Sequence, residues 1–167
     1  MRELYVRVSY NMTMQSKKST VEGTDLKISS SAFKPNGYIP VKYTCKGEDV
    51  NPPLDISGTP AHASCLALII DDPDASGGTW LHWTVWNIPV THHILEDDIP
   101  GQQGRNDFGR NAYGGPCPPS GAHRYLFRVF ALDEVLDLAE GASRQELETA
   151  MVGHIIGYGE LVGLFKK

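Results

Sequence analysis

The chain is predicted to be mainly β, an antiparallel sandwich with a small helical appendage, and three stretches carry that reading. "SCLALIIDD" (64–72) is a continuous apolar run of strand length, the pattern of a strand covered on both faces. "WLHWTVWNI" (80–88) is aromatic and β-branched, which suits a pleated, packed surface. "HRYLFRVFAL" (123–132) alternates, with Tyr125, Phe127, Val129 and Ala131 on one face and Arg124, Leu126, Arg128 and Phe130 on the other. Strands of this kind separated by turn-rich segments build packed sheets.

The remaining elements follow in order. Residues 1–25 read as an arm: "ELYVRVSY" suits an edge strand, and "NMTMQSKKST" is polar and unpatterned. Residues 26–167 read as one domain, a length that holds a core without staples. "LKISSSAF" and "VKYTC" are expected to be short strands. Stretches rich in Gly, Pro, Asn and Asp fill 46–60, 72–79 and 98–121, and the last is longer than an ordinary connector. Helix is expected near the end, where Ser143-Arg144-Gln145-Glu146 has capping-box form. Leu147, Ala150, Met151 and Ile155 follow at helical spacing, with Gly153, Gly157 and Gly159 weakening the far end. "LDEVLDLAEG" offers a turn of helix at most.

Lys and Arg number 15 against 20 Asp and Glu, a net charge of −5, and no basic run exceeds Lys17-Lys18 or Lys166-Lys167. That balance argues against a nucleic-acid partner. No apolar run approaches a transmembrane span, and the first residues lack the apolar centre of a signal peptide. Cys45, Cys65 and Cys117 are an odd set without a CxxC pair, neither a disulfide framework nor a zinc pattern. The expectation is a cytoplasmic protein with reduced thiols.

Two segments put polar side chains where strands meet loops. In "DDPDASGGTWLHW" (71–83) Asp71, Asp72 and Asp74 end an apolar strand, Pro73 turns the chain, and His82 follows inside the next strand. In "GGPCPPSGAHRY" (114–125) glycines and prolines precede His123 and Tyr125. Taken singly, Asp-Pro-Asp reads as turn chemistry and His82 as an interior histidine. Taken together they make a pocket. The N–H groups of Gly114 and Gly115 can converge on an anion, Pro116, Pro118 and Pro119 stiffen the wall, and imidazoles can donate to phosphate oxygens. Asp72 and Asp74 would repel that anion unless one orients a histidine while the other meets a cationic group on the ligand. The alternative is a hydrolase using the same pocket, through a metal held by His and carboxylate or through Cys117 activated by histidine. No HExxH or GxSxG motif supports it. No cofactor is implied.

"DDPDASGGTWLHW" followed by "YGGPCPPSGAHRYLFRVFALD" resembles the two signature regions of the phosphatidylethanolamine-binding proteins, closest to their bacterial and archaeal, Raf kinase inhibitor-like branch. The resemblance runs from about Leu26 to the end of the chain. It implies a Greek-key sandwich of two antiparallel sheets with a few small peripheral helices. It also implies a small pocket for phosphate-like anions, phosphorylated small molecules or head groups. By motif, Asp72, Asp74, His82, Pro118, His123 and Tyr125 are the ligand-binding positions, and Gly115 adds a backbone donor. The resemblance implies a binding protein rather than an enzyme and, from bacterial relatives, a homodimer; kinase regulation belongs to the animal members and extends to a protein partner here by analogy of fold. Ser76 stands where the family turn often has proline. No equivalent of the C-terminal helix of animal members follows, so its tyrosine is not assigned to Tyr158.

Overall fold

The three strongest strand segments all form strands in the computed structural model, which describes residues 23–167. In chain order the elements are β1 (Thr24–Asp25), β2 (Lys27–Ser29), a 3-10 turn (Val41–Tyr43), β3 (Leu54–Ser57), β4 (Cys65–Asp72) and β5 (Trp80–Ile88). They continue with β6 (His93–Ile94), β7 (Gln102–Gln103), β8 (Ala122–Leu132), α1 (Arg144–Met151) and β9 (Ile155–Lys166). Among the described residues a larger sheet runs β1-β9-β8-β4-β5-β7 and a smaller one β2-β3-β6. The pairing is antiparallel except for β1 against β9. Thr24 and Asp25, read from sequence as the end of the arm, make that parallel pair. The edge strand expected in "ELYVRVSY" lies outside the described residues.

β4 is buried along its whole length because β5 and β8 flank it and both its faces are covered. Leu66, Leu68 and Ile70 point into the core between the sheets, where they meet Trp83, Phe127 and Val129 from the larger sheet and Ile28, Leu54 and Ile56 from the smaller. Ala67 and Ile69 point the other way, into a second cluster with Trp86, Phe130, Leu147 and Met151 beneath α1. Each fully buried aliphatic side chain contributes about 1.5–3 kcal/mol.

The capping box forms: the Ser143 N–H donates to Glu146 Oε2 at 2.7 Å, and the Glu146 N–H donates to Ser143 Oγ at 3.3 Å. The helix is shorter than its periodicity suggests. It stops at Met151, and Ile155 begins the twelve-residue strand β9. Glycine hid that strand. A Cβ on Gly159 would lie 2.5 Å from the Leu26 carbonyl oxygen, so the bare backbone is what lets the β1–β2 segment pass so closely.

Two other expectations are corrected. "VKYTC" is a 3-10 turn rather than a strand; Pro40 leads into it, and Tyr43 is buried with its hydroxyl donating to Glu96 at 2.6 Å. The thiols are not all reduced. Cys45 and Cys117 form a disulfide with Cα atoms 5.5 Å apart across 72 residues of sequence, while Cys65 is free and buried. Cysteine spacing cannot reveal a bridge made by the long 98–121 loop folding back onto the 3-10 turn.

Candidate functional site

Successive β-strand residues point to opposite faces, so Asp71 and Asp72 diverge at the end of β4. Asp72 is 4% exposed, and its Oδ2 accepts from His123 Nδ1 at 2.7 Å. Its Oδ1 accepts the Asp74 N–H at 2.8 Å, the self-bonding turn expected of Asp-Pro-Asp. Asp74 is held by Arg124 through its backbone N–H (2.9 Å), Nε (2.9 Å) and Nη2 (2.8 Å). Those bonds pull its carboxyl down to about 2. The repulsion anticipated from two carboxylates is therefore largely relieved. One is bonded to an imidazole and the other is neutralised by a guanidinium.

His82 owes its position to a β-bulge. Trp83 pairs with Ile70 and Leu81 with Asp71, leaving His82 as the extra residue between them. Its free carbonyl accepts from the Gly114 N–H at 3.1 Å and from Asn106 Nδ2 at 3.2 Å. Its ring Nδ1 donates to the Gly114 carbonyl at 2.6 Å. The imidazole is 2% exposed, edge-on to Tyr125 at 5.2 Å and Phe108 at 5.3 Å. Burial lowers its pKa, against the opposing bond from Gly114 and the charge of Asp72. Tyr125 is fully buried, and its hydroxyl lies toward the Asp72 carboxylate without a hydrogen bond of ordinary geometry. Burial and the nearby Asp72 charge raise its pKa, so it stays an O–H donor.

The Gly-Pro wall is built differently from its sequence reading. The Gly115 N–H, expected to face an anion, donates to Asp49 Oδ1 at 2.7 Å and is already spent. Its missing Cβ has another use, since one would lie 2.4 Å from the Tyr43 carbonyl oxygen. The wall is tied to the 3-10 turn by the disulfide, by Cys45 N–H to the Pro116 carbonyl (3.2 Å) and by the Tyr113 hydroxyl to the Tyr43 carbonyl (2.7 Å). Pro118 is buried within it. At the rim Trp80 and Phe108 meet edge to face at 5.5 Å, and Arg110 lies over Phe108 while reaching Asp49 at 3.3 Å.

Sequence reasoning missed Asn106, Asp49 and Phe108. The Asn106 side chain accepts from the Phe108 and Arg110 N–H groups and donates to the Ala112 and His82 carbonyls, so it organises the loop around His82. The unusual length of 98–121 was the available signal. A surface depression beside α1, lined by Leu138, Gln145, Glu146, Thr149 and Ala150, contains none of the predicted positions. Among the described residues no group of three or more His, Cys, Asp or Glu is placed to hold a metal ion, and Cys117 is bonded to Cys45.

The sequence profile of the phosphatidylethanolamine-binding proteins matches residues 29–166. The chain belongs to this family. A UPF0098 protein of Pyrococcus horikoshii is 53% identical over 158 residues, covering 87% of this chain and 79% of its own length. One from Methanothermobacter thermautotrophicus is 47% identical, covering 85% and 99%. A phosphatidylethanolamine-binding protein homologue of Chlamydia trachomatis superposes with a TM-score of 0.82 at 41% identity, over 86% of this chain and 98% of that one. E. coli YbcL gives 0.78 at 28% identity, over 85% and 98%. Membership fits a mainly β fold with a ligand site. No described helix is long and apolar enough to cross a membrane.

Proposed function

We propose that the chain binds a phosphate-like anion, or the phosphate of a small phosphorylated molecule, between His82, His123 and Tyr125. The observation that carries this reading is the Tyr125 hydroxyl, fully buried with its ring edge-on to His82 and without a hydrogen bond of ordinary geometry. Leaving such a group unpaired costs about 1–3 kcal/mol, which a ligand oxygen would recover. In this reading Asp72 orients His123, Asp74 fixes the turn through Arg124, and Gly115 and Pro118 form the wall. A protein partner would meet the same mouth at Trp80 and Phe108, which are 39% and 38% exposed. Hydrolysis through Cys117 is not part of the reading, because its sulfur is bonded to Cys45.

The test is calorimetric titration of wild type and His123→Ala with inorganic phosphate and phosphoethanolamine. Saturable binding that weakens at least tenfold in the variant is expected. No heat of binding to wild type at millimolar ligand would contradict the proposal.

A further inference from the structure

Asp49, Asp72, Asp74 and Asp107, the carboxylates around the site, each already accept a hydrogen bond from the protein. Asp72 accepts from His123 and from the Asp74 N–H, and Asp74 is gripped by the Arg124 backbone and guanidinium. Asp107 Oδ2 accepts the Leu81 N–H at 2.6 Å. Asp49 Oδ1 accepts the Gly115 N–H at 2.7 Å, and its Oδ2 meets Arg110 Nη2 at 3.3 Å. A cationic group on a ligand therefore meets no carboxylate among these that still lacks a donor.

Arg110 is held more loosely than Arg124. Its guanidinium makes one long contact with Asp49, and its side chain is half exposed. An exposed pair of that kind is weak and separates at little cost. Asp49 keeps its shorter bond to the Gly115 N–H when the guanidinium moves, so the wall stays supported. The backbone beneath is fixed, since the Arg110 N–H donates to Asn106 Oδ1 at 3.0 Å. The guanidinium lies 5.7 Å from the centre of the Phe108 ring, which stands 5.3 Å from the His82 ring. A Cβ on Gly114 would lie 3.3 Å from Arg110 Nη2 and 2.5 Å from Phe108 Cδ2. The bare backbone that bonds His82 is thus what admits both side chains to the mouth.

Given the anion site proposed above, on which this step rests, we infer that Arg110 reads a second anionic group on the ligand. The favoured class is a small phosphate monoester that also carries a carboxylate or a further phosphate a short carbon chain away. A guanidinium presents paired N–H donors that match either group. The same positive charge over Phe108 disfavours an ammonium at that ring, so an aminoethyl phosphate gains nothing at the mouth. The chain as a whole carries −5 and repels the more negative ligand, so a preference for it requires a local cation.

Phosphoglycolate, ethyl phosphate and phosphoethanolamine, which differ in the charge at the end away from the phosphate, test this on the wild-type protein. At pH 8 all three phosphates are dianions, because the second ionisation lies near pH 6, so the phosphate end is common to the set. Calorimetry is expected to show phosphoglycolate binding about threefold or more tighter than ethyl phosphate, and phosphoethanolamine no tighter than ethyl phosphate. In Arg110→Gln the advantage of phosphoglycolate is expected to disappear. Phosphoglycolate binding no tighter than the other two, or an advantage that survives in Arg110→Gln, would overturn the inference while leaving the anion site standing. If none of the three binds the wild type, the anion site fails and the inference falls with it.

Discussion

Asp71 and Asp72 leave β4 in opposite directions, and their surroundings differ far more than their burial does. Asp71 is fully buried between Arg128 of β8 and Arg144 of α1; Arg144 lies 2.8 Å away and also reaches Glu148 at 2.6 Å. Burial pushes the Asp71 carboxyl's pKa up while both guanidiniums pull it down. Asp72, nearly as buried, accepts from one imidazole and from the Asp74 N–H. One carboxylate ties a helix to a sheet and has its charge matched by cations from two elements. The other holds a histidine and its own turn at the candidate site. Burial alone does not separate a structural carboxylate from a site carboxylate; the partners do.

The largest expected effect is on the Asp71 side. Asp71→Ala removes a fully buried carboxylate that two guanidiniums share and should cost about 3–5 kcal/mol in chemical denaturation, the order of breaking a buried ion pair. A loss below about 1 kcal/mol would show that the arginines do not depend on Asp71. Opening the Cys45–Cys117 bridge, with reductant or by Cys117→Ser, should cost about 2–4 kcal/mol, since it frees a long loop in the unfolded chain. It should also weaken phosphate binding, because the bridge holds the wall. Unchanged unfolding midpoints with and without reductant would contradict this.

On the Asp72 side the balance should invert. His123→Ala should cost about 1–3 kcal/mol in stability, since Asp72 loses one partner and keeps the Asp74 N–H, yet remove most phosphate affinity. A variant that binds phosphate normally would break the comparison. The smallest effect is at Asp74–Arg124. The folded carboxyl, at about 2, lies below its ordinary 3.8, so its contribution is present above about pH 4 and lost as pH falls toward 2. Arg124→Gln should flatten that acid limb by tenths of a kcal/mol, since the pair is partly exposed. Parallel acid-unfolding curves for variant and wild type would remove Arg124 as the cause.

Much of this was legible in the chain. The unbroken apolar run of β4, the alternation of β8 and the Ser143–Glu146 cap each encode a local preference that tertiary packing reinforces. β9 was not legible, because Gly157 and Gly159 look like helix weakening until the strands that pack on them are known. The site residues could be named from their motifs, yet their division of labour could not. That Asp74 faces Arg124, that Gly115 is spent on Asp49, and that a bulge turns His82 toward Tyr125 all depend on register and loop closure. The disulfide escaped for the same reason, since 72 residues of separation carry no trace of contact.

The central claim is that the Asp72 side of β4 holds an oxyanion, and a crystal structure of the protein grown in phosphate tests it most directly. The account predicts an anion between His82 and His123, with one oxygen accepting from the Tyr125 hydroxyl and another within hydrogen-bond distance of His82 Nε2. A well-ordered site without an anion, in which the Tyr125 hydroxyl is bonded to a protein group instead, would contradict it.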